Sequence, residues 1–346
     1  MNNVVKKNNL IEITYMRSIA CLLVVLCHAS IPITKHYPYG IFTPNSKIWS
    51  TLAFTGVGVF FIISGFLMSY IHGNDFNKNK SLEFLKKRLF RIAPMYYIAT
   101  TATIIGFIYN PNWFPTVSVS MSGVMLSLLF IPSYYSEELH RLSAILGVGW
   151  TLCFEAFFYV IFAMALKLNK KLGLAFISTI ILGVVATGII ATPEEDTYLS
   201  FFSSPIIVLF ITGVFFGVYY ERIPRIRNTI AIIFTCLISM ALYFTENIWI
   251  GIILVNLFFV FMLSLKLKRL NRMISIIGIA SYSIYLFHRL FIGAIDVIIG
   301  KFLTINNIYS SVAYYMFLII TSICIGIVIY RVIESRINNN IKMFRM

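Results

Sequence analysis

Gly149-Trp150-Thr151-Leu152-Cys153-Phe154-Glu155-Ala156-Phe157-Phe158-Tyr159 carries one carboxylate in an otherwise apolar run. Read as a helix, the run places Thr151, Glu155 and Tyr159 at i, i+4 and i+8, a polar stripe on an apolar rod. What such a glutamate means depends on the solvent around it, and the rest of the chain settles that. Hydrophobic residues make up 59% of the 346 positions and charged residues only 12%, with a mean hydropathy of +0.86. Apolar runs recur from end to end, which excludes a soluble domain and indicates a polytopic membrane protein. An ionisable group at membrane depth costs at least ~2.5 kcal/mol and normally faces a cavity, a partner or a substrate path. Glu155 is therefore the first functional candidate.

Runs of membrane-spanning length fall at 10–32, 48–71, 92–109, 147–166, 172–191, 203–220, 229–244, 248–265, 273–297 and 310–331. Basic residues test this division, since cytoplasmic loops are rich in Lys and Arg. Lys6 and Lys7, Lys78 to Arg91, Lys167 with Lys170 and Lys171, Arg222 to Arg227, Lys266 to Arg272, and Arg336 to Arg345 all fall on one side. Only Lys35, Lys47, Arg141 and Lys301 fall on the other. The chain is expected to be all-α, a single membrane domain over 1–346 with about ten transmembrane helices and both termini cytoplasmic. Met121 to Pro132 is too short to span comfortably and reads as an interfacial or re-entrant helix within an outer loop from Asn110 to Leu146.

The formal net charge of +15 lies in short clusters between apolar runs, so it reports topology, and no nucleic-acid partner is expected. Cys21, Cys27, Cys153, Cys236 and Cys324 sit in apolar stretches without metal-like spacing, so neither a disulfide framework nor a metal site is expected. No cleavable signal is evident. The sequence has no apparent inverted repeat of the kind common in secondary transporters.

Four segments carry the polar chemistry. In the first helix Arg17 and His28 lie eleven residues apart, close to three turns, hence on one face and about 16 Å apart along the axis. Snorkelling of Arg17 and a satisfied helix-end histidine are the structural alternatives. At the start of the third helix Arg88 and Arg91 share a face and suit the phosphates of a nucleotide-like donor, or merely flank the membrane. Glu155 either does chemistry or pairs with Arg17. Counting about 1.5 Å per residue inward from Gly149 places it roughly 9 Å below the outer surface, nearer His28 than the cytoplasm. Ser281, Tyr285 and His288 share a face of the ninth helix and are the set most readily explained by helix packing.

Arg17-x10-His28, Gly58-Val59-Phe60-Phe61-Ile62-Ile63-Ser64-Gly65-Phe66, Arg88-x2-Arg91-x2-Pro94, Trp150-Thr151-Leu152-x2-Glu155 and Ser281-Tyr282-x-Ile284-Tyr285-Leu286-x-His288 occur in this order along the chain. Together they resemble the acyltransferase 3 family of integral membrane acyltransferases, over nearly the whole sequence. The resemblance implies transfer of an acyl group, acetyl or succinyl, from cytoplasmic acyl-CoA to a hydroxyl of a cell-surface glycan, exopolysaccharide or glycolipid. By that likeness Arg17, His28 and Glu155 are the catalytic candidates, and Arg88 and Arg91 grip the donor. Trp150, Thr151, Ser64, Tyr285 and His288 line the substrate path.

Acyl-CoA is then the donor substrate, with no metal. A saccharide acceptor, membrane lipid and proteins of a glycan synthesis system are the expected partners, and a bacterial plasma membrane the expected location. Family members that modify cell-wall polymers often carry an appended extracellular hydrolase-like domain. This sequence ends about fifteen residues after its last expected helix, which leaves hand-over to a separate partner or direct action on a saccharide entering the membrane cavity. The direct route is expected, because compact stand-alone members are similar to enzymes that decorate exopolysaccharides and O-antigens.

Chemically, a sugar hydroxyl needs a general base, here His28. Glu155 would orient the imidazole as a carboxylate does in a triad. A variant in which His28 or Ser64 transiently carries the acyl group fits the residues equally. Two other readings remain: a transporter or flippase for a lipid-linked saccharide, and a membrane O-acyltransferase of the unrelated type in which His288 is the base.

Overall fold

The computed structural model describes residues 10–43, 46–111, 117–136, 141–265, 271–303 and 305–343. The charges at Lys6, Lys7, Lys266, Lys268, Arg269 and Arg345 lie outside the described residues, as do parts of the 110–146 loop. Among the described residues the chain is helical apart from one two-stranded hairpin.

The helices in chain order are α1 (Ile11–His36), α2 (Lys47–His72), α3 (Ser81–Tyr109), α4 (Met121–Leu128), α5 (Trp150–Ala165), α6 (Lys170–Ala191), α7 (Tyr198–Phe202), α8 (Val208–Val218), α9 (Asn228–Phe244), α10 (Ile248–Leu263), α11 (Arg272–Ile299), α12 (Ile308–Ile329) and α13 (Ser335–Met343). Seven helical stretches are long and apolar enough to cross a membrane: α1, α2, α3, α6, α7 through α8, α11, and α12 with its continuation. Helices α5, α9 and α10 are shorter apolar helices. Each of the ten expected spans thus meets a helix, and the protein is an all-α polytopic membrane protein.

Two departures from the expectation have physical reasons. Helix α3 starts at Ser81 rather than near residue 92, because its basic first turns still favour helix, with a Lys87–Glu83 pair at i, i+4 spacing. Arg88 and Arg91 consequently lie inside the helix. The outer loop contains a hairpin, β1 (Tyr134–Ser136) antiparallel to β2 (Arg141–Ser143), too short for a period-2 pattern to show. Helix α4 is the short outer helix anticipated from Met121 to Pro132. Tyr96 donates to Ser127 O at 3.0 Å, and Tyr97 donates to Leu128 O at 2.9 Å, so two adjacent α3 tyrosines hold α4 against the bundle.

The two ends of the bundle differ as the charge pattern requires. At one end Arg225 pairs with Glu12 at 3.0 Å, joining the α8–α9 link to the start of α1. Asn77 N donates to Leu166 O at 2.9 Å, joining the α2–α3 link to the end of α5. Lys78, Lys80 and the Arg222–Arg227 segment gather at this end, which the positive-inside rule makes cytoplasmic. At the other end Lys47 pairs with Glu246 at 3.2 Å, and His36 meets Asp296 at 3.1 Å.

Helix α1 lies between α2 and α11, and α2 against α8, with glycines at the tightest approaches. A methyl added at Gly65 would meet Phe210 O at 2.2 Å, and one at Gly213 would meet Ile62 O at 2.2 Å. Small residues that let backbones touch are how membrane helices gain dispersion energy without a hydrophobic drive. We expect Gly65→Leu to force α2 and α8 apart at a cost of roughly 1–3 kcal/mol. A lowered melting temperature in detergent checks this; an unchanged one would show that the approach carries little stability.

Helices α1 and α11 run parallel in register, which matters for the site. Ser18 donates to Ile274 O at 2.7 Å near their inner ends, Arg17 Nε to Ser281 Oγ at 3.2 Å above, and His28 meets His288 at 3.1 Å higher still.

Candidate functional site

A cavity of about 830 Å³, the open solvent at its mouth included, lies among α1, α2, α3, α5 and α11. Arg17, Ser64, Arg88, Arg91, Glu155 and Tyr159 supply its ionisable and hydroxyl lining. Arg91 is exposed while Arg88 is buried, so the basic start of α3 forms the mouth of this cavity at the positively charged end of the bundle.

Glu155 sits at the centre of the polar lining. Its Oε1 accepts from Ser64 Oγ at 3.0 Å and from the Tyr159 hydroxyl at 2.5 Å. Arg17, held by Ser281, lies within electrostatic range of Glu155, Arg91 and Glu334. Three guanidinium groups facing one cavity with so few carboxylates leave a site suited to an anionic ligand. Above this group the Thr151 and Tyr285 hydroxyls, 2.8 Å apart, line the wall. The Tyr285 ring sits 5.5 Å from Phe60 and 6.0 Å from His288.

His28 stands about 16 Å farther along α1 than Arg17 and pairs with His288, ring to ring at 4.9 Å and 63°. The protonation of this pair follows from its partners. His288 Nδ1 lies 2.7 Å from Tyr285 O and 3.1 Å from Ile284 O, and His28 Nδ1 lies 2.9 Å from Val24 O. Carbonyl oxygens only accept, so both Nδ1 atoms carry hydrogen. His288 Nε2 is then an acceptor, shared by His28 Nδ1–H at 3.1 Å. His28 Nε2 is left with a lone pair and has no partner among the described residues. Arg289 packs over Gly147 and lies within electrostatic range of both imidazoles.

The geometry revises three readings of the sequence. Glu155 does not orient His28: its partners are Ser64 and Tyr159, on the level of Arg17. A linear count from Gly149 misses this because the approach to α5 through Ala144, Ile145, Leu146 and Val148 is itself buried. His288 is fully buried, with His28 against its Nε2. Trp150 packs edge-on against Phe61 and Phe154, at 6.5 and 5.8 Å, behind the lining. Arg17, Ser64, Arg88, Arg91, Thr151, Glu155 and Tyr285 are brought together.

Several polar groups near the site carried no sequence signal strong enough to single them out. Glu334 accepts from Ser283 Oγ at 2.5 Å and lies within electrostatic range of Arg17 and Arg91. It belongs to a five-residue π turn, Tyr330–Glu334, which shifts helical phase and hides the face on which it falls. Tyr282 ties α11 to α3 by donating to Ile92 O at 2.6 Å. His72 contacts Arg88 from the end of α2. Among the described residues no three His, Cys, Asp or Glu side chains gather as a metal site would require.

Comparison with known proteins adds an independent line. The family described as an acyltransferase domain matches residues 10–331. The exopolysaccharide production protein ExoZ of Rhizobium meliloti is 32% identical over 250 residues, which cover 69% of this chain and 76% of that protein. A putative acetyltransferase, ORF330, of Acidianus two-tailed virus is 24% identical over 85% of this chain and 88% of its own length. Peptidoglycan O-acetyltransferase OatA of Listeria monocytogenes is 27% identical over 134 residues, 36% of this chain and 21% of OatA. No solved structure matches.

Proposed function

From the premise that this chain belongs to the acyltransferase 3 family and is an O-acyltransferase of the membrane, we propose that it moves an acetyl or succinyl group from cytoplasmic acyl-CoA to a hydroxyl of a cell-surface polysaccharide. The observation that carries the reading is one cavity with Arg88 and Arg91 at its mouth and the His28 pair beyond its far wall. Arginine forks suit phosphate geometry, so the nucleotide end of the donor docks at the basic end. The acylated pantetheine arm then extends past Arg17 and Glu155 toward Tyr285. ExoZ's part in exopolysaccharide production and OatA's O-acetylation of peptidoglycan support a polysaccharide acceptor. The location proposed is a bacterial plasma membrane, with proteins of a glycan synthesis system delivering the acceptor.

In the proposed reaction His28 Nε2 takes the proton of the sugar hydroxyl as its oxygen attacks the thioester carbonyl carbon. The carbon–sulfur bond breaks, the thiolate leaves, and the proton held on His28 passes to the sulfur to give free CoA. His288 Nε2 accepts from His28 Nδ1–H throughout, which keeps Nε2 the reacting nitrogen and steadies the imidazolium. Arg17, about 16 Å nearer the basic end along α1, is suited to hold the thioester arm on the donor path. His288 as the base is disfavoured, because its own Nε2 is occupied by His28.

Thiol release from acetyl-CoA and succinyl-CoA by the purified chain in nanodiscs tests the reading. Release that falls when Arg88 and Arg91 are both replaced by alanine is expected. Folded wild-type protein that neither binds nor cleaves either donor would overturn it.

A further inference from the structure

Arg88 is fixed by residues outside the cavity. Its Nη2 lies 2.9 Å from His72 Nε2, His72 Nδ1 lies 2.7 Å from Asp75 Oδ2, and Lys80 Nζ lies 3.1 Å from Asp75 Oδ1. Arginine keeps its protons in a protein and only donates, so His72 Nε2 must be the acceptor. His72 Nδ1 therefore carries the hydrogen and donates it to Asp75. One proton arrangement satisfies the whole row, and it is the neutral imidazole with a carboxylate behind it.

The row is built on an anchored support. The α2–α3 link turns through Asn77 and Asn79 at φ of 57° and 51°, left-handed values that asparagine tolerates. Asn77 N donates to Leu166 O, and Ser81 Oγ donates to Ala163 O, so the link is tied to the end of α5. Phe84, buried, stands edge-on to the His72 ring at 5.0 Å with the Arg88 guanidinium 5.7 Å from its centroid. Partial burial raises the Asp75 carboxyl, but hydrogen bonds from His72 and Lys80 outweigh it and hold the group below its ordinary range. Asp75 thus stays ionised at neutral pH and keeps His72 in the accepting tautomer.

We propose that His72 is a positioning residue that aims Arg88 into the cavity for the phosphates of acyl-CoA, with Asp75 fixing the tautomer that makes this possible. The proposal rests on the donor reading above. His72 touches no substrate. It holds one nitrogen of the guanidinium so that the others face the ligand, which reduces the ordering that donor binding must supply.

The test measures KM and kcat for acetyl-CoA and succinyl-CoA by thiol release, beside melting temperatures of each variant in detergent. His72→Ala is expected to raise the donor KM about tenfold, the scale of a lost hydrogen bond to a charged group, with kcat little changed. His72→Gln puts an amide oxygen where Nε2 stood and restores most of the affinity. His72→Asn reaches only the Nδ1 position and does not. For acetyl-pantetheine, which lacks the nucleotide phosphates, wild type and His72→Ala have the same KM.

An unchanged KM in folded His72→Ala beside an active wild type overturns the role of His72 alone. Equal rescue by Gln and Asn does the same, since it reduces His72 to a space-filler. A folded wild type that neither binds nor cleaves acyl-CoA removes the donor reading and this proposal with it.

Discussion

Replacing His28 with alanine lowers turnover by about 10²- to 10⁴-fold, the usual contribution of a positioned general base, while the donor KM is unchanged. The separation of effects follows from the geometry. His28 sits about 16 Å along α1 from Arg17, whereas the arginines proposed to hold the donor phosphates line the mouth. Removing the imidazole takes the base from the acceptor hydroxyl without touching the donor's anchors. His288→Ala gives a different signature, because it leaves the base in place and removes the acceptor that fixes its tautomer. Its turnover falls less than that of His28→Ala and its pH–rate profile moves. Steady-state thiol release in the presence of an accepted saccharide reads both. Near wild-type turnover in His28→Ala would take the base away from His28.

Glu155→Ala is the second large effect, and it acts on stability and turnover together. Glu155 Oε1 accepts from both Ser64 and Tyr159, and Tyr159 is buried. Truncation strands the Tyr159 hydroxyl at a cost of about 1–3 kcal/mol and removes a carboxylate within electrostatic range of Arg17. Turnover is expected to fall on the order of 10²-fold, the scale of misplacing a bound substrate by roughly 1 Å on its path to the base. Glu155→Gln keeps the acceptor oxygen and loses the charge, so it recovers the melting temperature but not the turnover. Full turnover in Glu155→Gln would reduce Glu155 to a hydrogen-bond acceptor.

Much of this arrangement was legible in the sequence because the membrane constrains it. Apolar runs of spanning length, separated by basic clusters, each met a helix among the described residues. The expense of charge at membrane depth singled out Arg17 and Glu155. What the sequence could not supply was relative depth. A linear count from Gly149 sets Glu155 too near the outer surface, since it cannot see that the preceding segment is itself buried. The His28–His288 pair joins helices 260 positions apart, and no periodicity reports which helices adjoin. His72 and Asp75 lay in a flank where charged residues are ordinary, so their row to Arg88 carried no signal. Glu334 was hidden by the π turn that displaces it.

The central claim is that the donor enters from the basic end and the acyl group leaves near His28 at the other. Sealed proteoliposomes of known protein orientation, given labelled acetyl-CoA or succinyl-CoA on one face and a saccharide acceptor on the other, test it directly. The account predicts thiol release and labelled saccharide only when the donor meets the face carrying Lys78 to Arg91, and neither product with His28→Ala. Saccharide crossing the bilayer unacylated, with no thiol released from either face, would contradict it and make the Arg17–Glu155 cavity a passage.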